Sequence, residues 1–397
     1  MSEDWLPRRA LVVGLARSGR AAVAALEQRG VEVVAVDRDL GNDDPAAAED
    51  VDLLVKSPGV PGEAPVVAAA RRRGVPVWSE VELGYRLLGG APFYGVTGTN
   101  GKTTTTELLG AILRAAGRRV EVAGNVGTAL TEVAERIEPG ASVVCELSSF
   151  QLEDVQTLAC DVAILLNIEP DHLDRHGSLE AYRDAKLRIF ERARTKVAPR
   201  GFGIEDAIEF AGDDPLPAEP RIPGAHNREN AAAATAAARA AGVADEAIAE
   251  ALRTFPGVPH RLELVRELHG VRYVNDSKAT NTAAARRGMA AYAAPLHVIL
   301  GGSLKGEDFG PFARGLPANI RTIHLIGEAS GELAGALDSA GWAYDRDGDL
   351  ATAVAHASSL AQDGDVVLLS PACASYDQFD NFEQRGDAFR RFVEHLS

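Results

Sequence analysis

The chain has 397 residues, of which 46% are hydrophobic and 25% charged, a globular composition long enough for two or three domains. A formal net charge of −16 argues against nonspecific binding to nucleic acid or to an anionic membrane surface. Three cysteines without a CxxC pair argue against a disulfide framework and a structural zinc site, so we expect a reducing, cytoplasmic environment. Neither a hydrophobic leader nor an apolar run of about eighteen residues is found, so we expect no membrane span.

Short β-branched runs alternate with alanine-rich helical stretches along the chain. This alternation is typical of α/β domains with mostly parallel sheets. Two clusters of proline and glycine are typical of linkers, GGAP at 89–92 and FPGVPHR at 255–261. They divide the chain into three predicted domains, residues 1–92, 93–256 and 257–397.

The first predicted domain begins like a Rossmann unit. Strand RALVV is followed by the turn GLARSG, a helix to Arg29, and strand VEVVAVD, which ends at Asp37. Asp37 stands where such folds bind a ribose or a base edge. The turn carries Ala16 in place of the middle glycine that lets backbone approach a pyrophosphate, so a dinucleotide is disfavoured. A different nucleotide and a plain structural turn both remain open.

The second predicted domain opens with a phosphate loop, YGVTGTNGKTTTTELLG at 94–110. The spacing matches GTNGKT, framed by Gly98 and Gly101, rather than the generic G-x-x-x-x-G-K-[ST] pattern. A strand precedes the loop and a helix follows it. This context predicts that Lys102 reaches the β and γ phosphates and that the Thr103 hydroxyl binds Mg²⁺.

Polar residues also follow the next strands of this domain. Glu146 ends strand SVVCEL, where a second Mg²⁺ ligand or a solvated carboxylate would both be ordinary. Strand DVAILLN runs into IEPDHLDRHGS, which contains Asp171, His172, Asp174 and His176. One of these histidines could bind a metal, although the spacing matches no zinc signature and solvated turn residues are the commoner outcome.

Lys186 lies in EAYRDAKLRIFERARTK, which we predict to be one helix over 180–196. The predicted exposed face of this helix also carries Arg183, Arg188, Arg192 and Arg194. From these residues alone, Lys186 is one more cation on a basic, solvated face.

The third predicted domain contains strands ELVREL, VRYVNDS, HVILGG, TIHLIG and DVVLLSP, several of which end in small or polar residues. The loops NDSKATN and GGSLKGEDF offer two lysines and several hydroxyls, which suits recognition of a small carboxylate. Cys373 in the loop LLSPACASYDQF has no flanking histidine, so packing against a ligand is favoured over a nucleophilic role.

Eight motifs follow one another along the chain: GTNGKTT, ELSSFQLE, NIEPDHLDRHGS, YRDAKLRIF, HNREN, PHRLE, NDSKATN and LLSPACASYDQFDNFEQRG. In this order they resemble the Mur ligases of peptidoglycan synthesis, over nearly the whole chain. The resemblance implies an N-terminal Rossmann-like domain for the UDP moiety, a central P-loop ATPase and a C-terminal Rossmann-like domain. It also implies ATP-dependent amide formation through an acyl phosphate. NDSKATN and SPACASYDQF resemble the branch that adds D-glutamate to UDP-N-acetylmuramoyl-L-alanine.

The resemblance implies roles for individual residues. Lys102, Lys186, His172 and Asn125 would be catalytic. Thr103, Glu146, His172 and Lys186 would hold two Mg²⁺ ions, with Lys186 carbamylated and therefore anionic. The positions that would contact ATP are Gly98, Thr99, Asn100, Gly101, Lys102, Thr103, Thr104, Asn227, Asn230, Arg261, Asp276 and Lys278. The positions that would bind the other substrates are Leu15, Ala16, Asp37 and Arg38 for the uridine part and Thr280, Lys305, Ser375 and Phe382 for D-glutamate.

Two departures from the family pattern concern the uridine loop and the central domain. GLARSG and the pair Asp37 and Arg38 differ from the usual uridine-binding residues. Only 39 residues separate Lys186 from His226, so we expect a pruned outer part of the central sheet.

We expect a cytoplasmic monomer. A folylpolyglutamate synthase-like ligase and a noncatalytic nucleotide-binding protein are the alternatives, disfavoured by the N-terminal domain and by the retained catalytic set.

Overall fold

The structure is a computed structural model that describes residues 5–125, 127–304 and 306–396. The chain forms two compact units. The first comprises Met1–Pro220 and His226–Thr254, and the second comprises Arg221–Ala225 and Phe255–Ser397. The main segment of the second unit thus starts at the beginning of the FPGVPHR cluster. The separation of residues 1–92 from 93–256 stays a prediction.

The first unit contains a four-stranded parallel sheet in the order β2-β1-β3-β4. Its strands are β1 Arg9–Val13, β2 Glu32–Val36, β3 Leu53–Lys56 and β4 Val77–Ser79. Its helices are α1 Arg17–Glu27, α2 Pro65–Arg72 and α3 Glu80–Leu87. Because crossover helices cover a parallel sheet, its central strands are apolar on both faces, and β1 and β3 are almost fully buried.

The first unit also contains a six-stranded parallel sheet in the order β10-β9-β8-β5-β7-β6. Its strands are β5 Phe93–Thr97, β6 Val120–Gly124, β7 Ser142–Glu146, β8 Val162–Leu165, β9 Thr195–Pro199 and β10 Ala207–Phe210. The helices along this part of the chain are α4 Lys102–Ala115, α5 Leu130–Arg136, α6 Ser149–Leu152, α7 Leu173–His176, α8 Leu179–Leu187, α9 Ala225–Ala240 and α10 Asp245–Thr254. The strand β5, which leads into the phosphate loop, is central, so the loop emerges between β7 and β8.

Buried carboxylates of α3 connect the two sheets of this unit. Glu80 accepts hydrogen bonds from the backbone N–H and the hydroxyl of Thr131, both at 2.7 Å. Glu82 accepts from the N–H groups of Gln156, Thr157 and Leu158. Buried polar groups are tolerated when they are hydrogen-bonded, and here the bonds fix one layer against the other.

The second unit has one six-stranded sheet in the order β11-β12-β16-β13-β14-β15, parallel except for the pair of β11 and β12. Its strands are β11 Glu263–Leu268, β12 Val271–Asn275, β13 Leu296–Gly301, β14 Ile320–Ile326, β15 Asp345–Gly348 and β16 Val366–Leu369. Its helices are α11 Thr282–Ala290, α12 Gly310–Arg314, α13 Ser330–Ala340, α14 Leu350–Leu360 and α15 Phe382–Glu394. The predicted α/β class with mostly parallel sheets is confirmed.

The predicted helix over 180–196 is wrong at its carboxyl half. The α-helix α8 ends at Leu187, a 3-10 turn covers Arg188–Phe190, and Thr195 already begins β9. Arg188 leaves the helical face because its guanidinium donates to the carbonyls of Glu153 and Val155 at 2.8 and 2.7 Å. Pairing of β9 with β8 then overrides the helical pattern of charges.

None of the helices in the described part of the chain is both long enough and apolar enough to cross a bilayer.

Candidate functional site in the first unit

The phosphate loop joins the carboxyl end of β5 to the amino end of α4. Gly98 has a φ of +159° and Gly101 a φ of +82°, where a side chain is disfavoured. A Cβ on Gly101 would lie 2.1 Å from the Asn230 side-chain oxygen. The α4 helix has 14 residues, and its first N–H groups have no partners within the helix. Such a helix start binds phosphate readily.

Asn167, just after β8, holds the shape of this loop. Its side-chain oxygen accepts from the N–H groups of Thr99 and Asn100 at 3.0 and 2.8 Å, and its amide nitrogen donates to the Asn100 carbonyl at 3.2 Å. Sequence reasoning missed Asn167. The available signal was an amide at the end of the strand that neighbours β5, on the edge where ligands bind.

Two lysines converge on one carbonyl of the loop. The Lys102 ammonium donates to the carbonyls of Gly98 and Thr99, both at 3.0 Å. Lys186, on α8, donates to the same Gly98 carbonyl at 2.8 Å, and its Nζ lies 4.5 Å from the centre of the Tyr182 ring. Lys186 is 1% exposed, so it is a buried residue of the site rather than a cation on a solvated face.

Burial, together with the nearby charge of Lys102, lowers the pKa of Lys186 from its ordinary value of 10.5 to about 7. Asp171 and Glu146 act in the opposite direction. At neutral pH a substantial fraction of Lys186 is therefore an unprotonated amine, which is the nucleophilic form of a lysine.

We expect Lys186→Met to raise the free energy of unfolding, with a pH dependence that identifies the buried ammonium. Below pH 7 the wild-type lysine is charged in both folded and unfolded states, so the cost of burying its charge is fully present. Between pH 7 and 10.5 the unfolded state binds more protons, so wild-type stability rises and the advantage of methionine declines. Chemical unfolding of both proteins in CO₂-free buffer, below and across this window, measures the difference. A pH-independent difference would contradict a charged, buried Lys186.

Glu146 and Asn125 lie beside the loop, at the carboxyl ends of β7 and β6. Glu146 is buried, and its side chain accepts a hydrogen bond from the Asn125 amide at 3.1 Å. The Asn125 N–H also donates to the Glu146 carbonyl at 3.0 Å. Thr103 is buried in the first turn of α4. Hydroxyl and carboxylate oxygens at neighbouring strand ends are ligands that suit Mg²⁺.

The two histidines of the IEPDHLDRHGS segment have different environments. His176 is buried, is hydrogen-bonded to the Ser149 hydroxyl at 2.9 Å, and lies 3.1 Å from a Glu153 carboxylate oxygen. His172 is half exposed, adopts a φ of +52°, and has its ring 6.5 Å from that of Tyr182, the residue that also contacts Lys186. His172 is therefore the histidine available to a ligand, and His176 is a structural residue.

The helix α9 completes this group with Asn227 and Asn230, both buried, whose side chains lie 3.4 Å apart. Thr104 is buried too, and its hydroxyl has no hydrogen-bond partner among the described residues. The Thr105 and Thr106 hydroxyls share this feature, so it does not distinguish a ligand contact. The N–H donors at the start of α4 fit the phosphates of a bound nucleoside triphosphate.

The predicted uridine-binding residues lie at the carboxyl edge of the four-stranded sheet. The Asp37 carboxylate accepts from the N–H groups of Leu15 and Asp39, and the Leu15 bond is the main reason that the pKa of Asp37 is lowered. Asp37 therefore stabilises the turn itself, while Ala16 and Arg38 are exposed.

Candidate functional site in the second unit

The remaining predicted residues that the structure describes belong to the second unit, and several follow the carboxyl ends of its strands. Asp276 follows β12 and is buried, and burial raises its pKa to about 7. The Ser370 hydroxyl donates to this carboxyl group at 2.7 Å, and the charge of Arg261 partly offsets the shift. Lys278 and Thr280 continue the same loop and are half-buried, with the Lys278 Nζ 5.7 Å from the centre of the Phe382 ring.

Arg385, which sequence reasoning missed, connects this loop to the one after β16. Its buried guanidinium donates to the hydroxyl and carbonyl of Ser277 at 3.0 and 2.9 Å, and to the carbonyls of Cys373 and Ala374 at 3.1 and 2.9 Å. The loop thus held contains Ser375, which is 2% exposed. Lys305, a predicted D-glutamate contact, and the side chain of Asp174 lie outside the described residues.

We expect Arg385→Met to lower the free energy of unfolding by at least about 3 kcal/mol, because several carbonyls lose a charged donor in a buried site. Chemical unfolding monitored by circular dichroism measures the loss. Arg391→Met is the matched control, since Arg391 lies on the same helix and is exposed. Equal stability of the two variants would contradict the structural role of Arg385.

Relation to known proteins

The fold and the first site define a phosphate-loop α/β protein. The family description "Mur ligase middle domain" matches residues 96–201, and "Mur ligase, glutamate ligase domain" matches residues 260–373. The chain is 42% identical to the UDP-N-acetylmuramoylalanine–D-glutamate ligase of Anaeromyxobacter dehalogenans, covering 97% of each chain. It is 40% identical to the ligase of the same name from Myxococcus xanthus, covering 98% of each.

The chain therefore belongs to the Mur ligase family, among relatives named UDP-N-acetylmuramoylalanine–D-glutamate ligase. The alignment with the Anaeromyxobacter relative extends over 450 positions, more than the length of this chain, so it contains positions that this chain lacks. Their location is not fixed by the alignment length, and the pruned central domain stays a prediction.

Two solved structures of proteins from Thermotoga maritima share the fold of this chain. A UDP-N-acetylmuramate-alanine ligase, MurC, has a TM-score of 0.61 at 20% identity, covering 97% of this chain and 98% of its own. A MurF ligase in complex with ADP has a TM-score of 0.62 at 16% identity, covering 99% of each chain. At these identities the likeness concerns the fold alone.

Proposed function

We propose that this protein is an ATP-dependent ligase that joins D-glutamate to UDP-N-acetylmuramoyl-L-alanine in peptidoglycan precursor synthesis. The observation that carries the ligase chemistry is the buried Lys186 amine on the same Gly98 carbonyl that the phosphate-loop lysine binds. The choice of substrates rests on the relatives of that name, at 38–42% identity over nearly the whole chain.

The proposed reaction has two steps. The substrate carboxylate attacks the γ-phosphorus of ATP and releases ADP, giving an acyl phosphate. The amine of D-glutamate then attacks the acyl carbon, loses a proton, and expels inorganic phosphate. Anions meet in both steps, and Lys102 supplies positive charge where they gather. The N–H groups at the start of α4 hold the phosphates. Asn167 fixes the loop that leads into this helix.

Lys186 contributes to the proposed reaction as a carbamate. Its neutral amine adds CO₂ to give a carbamate and a proton, so a cation becomes an anion beside the loop. Carbamylation needs an unprotonated amine, and the lowered pKa of Lys186 supplies it. Mg²⁺, held by Thr103, Glu146, His172 and the carbamate at two sites, would supply charge neutralisation at the transferred phosphate.

The other predicted contacts belong to the same proposal. Asn227, Asn230, Arg261, Asp276 and Lys278 contact ATP. Thr280, Lys305, Ser375 and Phe382 bind D-glutamate, while Leu15, Ala16, Asp37 and Arg38 bind the uridine part. The protein acts as a cytoplasmic monomer.

Phosphate release tests the proposal. Release should require ATP, UDP-N-acetylmuramoyl-L-alanine and D-glutamate together, so each is omitted in turn and L-glutamate replaces D-glutamate in a further arm. Release without either of the other substrates, or equal activity with L-glutamate, would reject the assignment. A folate substrate with L-glutamate tests the folylpolyglutamate synthase-like alternative and should give no release.

A further inference from the structure

A cluster of three side chains lies on the outer part of the second unit's sheet. His324 on β14 and His356 on α14 both point a ring nitrogen at Asp347 on β15. The His324 Nδ1 is 2.7 Å from one Asp347 carboxylate oxygen, and the His356 Nδ1 is 2.8 Å from the other. One ligand atom from each residue lies within 4.8 Å of the others. Two imidazoles and a carboxylate thus share one small volume.

The cluster is preorganised but reachable. His324 is fully buried and the Asp347 side chain is 6% exposed, whereas the His356 side chain is 37% exposed. Asp345, on the same strand as Asp347, adds negative charge that acts on both histidines. The exposed part of His356 gives a cation access to the cluster, where the charges of Asp347 and Asp345 attract it.

The far side of His324 is fixed by a chain of hydrogen bonds. Its Nε2 is 2.8 Å from the Thr322 hydroxyl, which is 2.8 Å from the Nδ1 of His297. The Nε2 of His297 is 3.1 Å from Asp365, whose carboxylate also accepts from Arg321 at 2.7 Å. Both ends of the chain are thus carboxylates, Asp365 and Asp347.

This chain of hydrogen bonds from Asp365 to Asp347 has one proton too few, and a positive charge is needed in its place. Four hydrogen bonds link Asp365 to His297, His297 to Thr322, Thr322 to His324, and His324 to Asp347. Two neutral imidazoles and one hydroxyl supply only three protons. If His297 donates to Asp365, Thr322 donates to His297 and His324 donates to Thr322, the Nδ1 of His324 is left as a bare lone pair facing the Asp347 carboxylate.

We propose that His324, Asp347 and His356 form a binding site for a divalent transition-metal ion of the zinc class. The ion takes the place of the missing proton between His324 and Asp347. The Nε2–H of His324 then donates to Thr322, the Thr322 hydroxyl donates to His297, and His297 donates to Asp365, so every bond is satisfied. Metal-binding histidines ordinarily donate their other ring N–H in this way. This site is separate from the ligase chemistry and does not rest on it.

The ligand set and spacing fit such an ion. Two imidazole nitrogens and one carboxylate oxygen are a ligand set that binds Zn²⁺, with water as the fourth ligand. Metal–ligand bonds of about 2.0–2.2 Å at a tetrahedral angle separate ligand atoms by about 3.3 Å. This separation is longer than the nitrogen–oxygen contacts of 2.7 and 2.8 Å and shorter than the 4.8 Å within which one ligand atom of each residue lies.

Zinc binding by the full-length protein tests the proposal. After removal of metal with a chelator, wild type, His356→Gln and His395→Gln are dialysed against Zn²⁺, and the metal bound per chain is measured. We expect wild type and His395→Gln to hold one equivalent more than His356→Gln. His395 is an exposed control, and any zinc bound elsewhere cancels between the proteins. Zinc should also raise the melting temperature of wild type more than that of His356→Gln.

Thr322→Val tests the chain of hydrogen bonds separately, because valine keeps the shape of threonine and touches no metal. We expect this variant to bind zinc about 10–100-fold more weakly, as loss of an outer hydrogen bond to a metal-binding histidine does. Circular dichroism verifies that both variants are folded. An unchanged amount of bound zinc in His356→Gln, which would leave a proton as the occupant, or an unchanged zinc affinity in Thr322→Val, overturns the proposal.

Discussion

Lys186→Ala is expected to lower the rate of substrate-dependent ADP formation by at least about 10²–10³-fold, the scale of losing one electrostatic group at a phosphoryl-transfer site. The substitution removes the nitrogen on which the proposed carbamate forms. It also opens a space beside the Gly98 carbonyl, in a region where Lys102 retains its positive charge. A short carboxylate such as formate or acetate can enter that space and replace the anionic group. Initial rates with and without the added carboxylate measure both effects.

Two further variants identify the cause of the loss. Lys186→Arg keeps a cation but offers a guanidinium that forms no carbamate, so it should be as inactive as Lys186→Ala and should not be rescued. Lys196→Ala is the matched control, because Lys196 lies on β9, away from the loop, and donates to the Glu205 carbonyl at 3.2 Å. Full activity of Lys186→Ala, or activity of Lys186→Arg, would reject the carbamate.

The sequence predicts the strands and the residues that end them, because buried parallel strands are short apolar runs and their carboxyl ends meet at one edge. Gly98, Lys102 and Glu146 could thus be assigned to one edge before the structure was known. The role of Lys186 could not be predicted from the residues that surround it in the sequence. Its helix looks basic and exposed, and only packing against Tyr182 and the phosphate loop makes the lysine a buried amine.

Residues that act through distant contacts escaped prediction altogether. Asn167 bonds to a loop 67 residues earlier, and Arg385 bonds to Ser277, 108 residues earlier. The same holds for the histidine cluster of the second unit. Cysteine spacing carries no information about this cluster, because His324, Asp347 and His356 come from three separate elements. Spacing along the chain carries no signal for such sets.

Gly101→Ala is expected to abolish most ATP-dependent activity by a purely steric route. The new Cβ would lie 2.1 Å from the side-chain oxygen of Asn230, so either that amide or the start of α4 must move. Displacing phosphate-binding N–H groups by about 1 Å costs on the order of 10²-fold in rate. Gly117→Ala provides the matched control, since Gly117 has a φ of +75° but nothing within 4 Å of its added Cβ. It should show only the loss of stability from a strained backbone, about 1–2 kcal/mol, with normal activity.

A double-mutant cycle shows whether the contact with Asn230 is the cause. Asn230→Ala removes the side chain that the Cβ would strike, at the loss of whatever that side chain contributes to ATP binding. If the clash is responsible, Gly101→Ala combined with Asn230→Ala loses little more than Asn230→Ala alone, so the two effects are strongly non-additive. If the two changes instead have additive effects on ATP affinity and on rate, the clash is not the cause. The backbone conformation of Gly101, rather than the space that it leaves for α9, would then explain the loss.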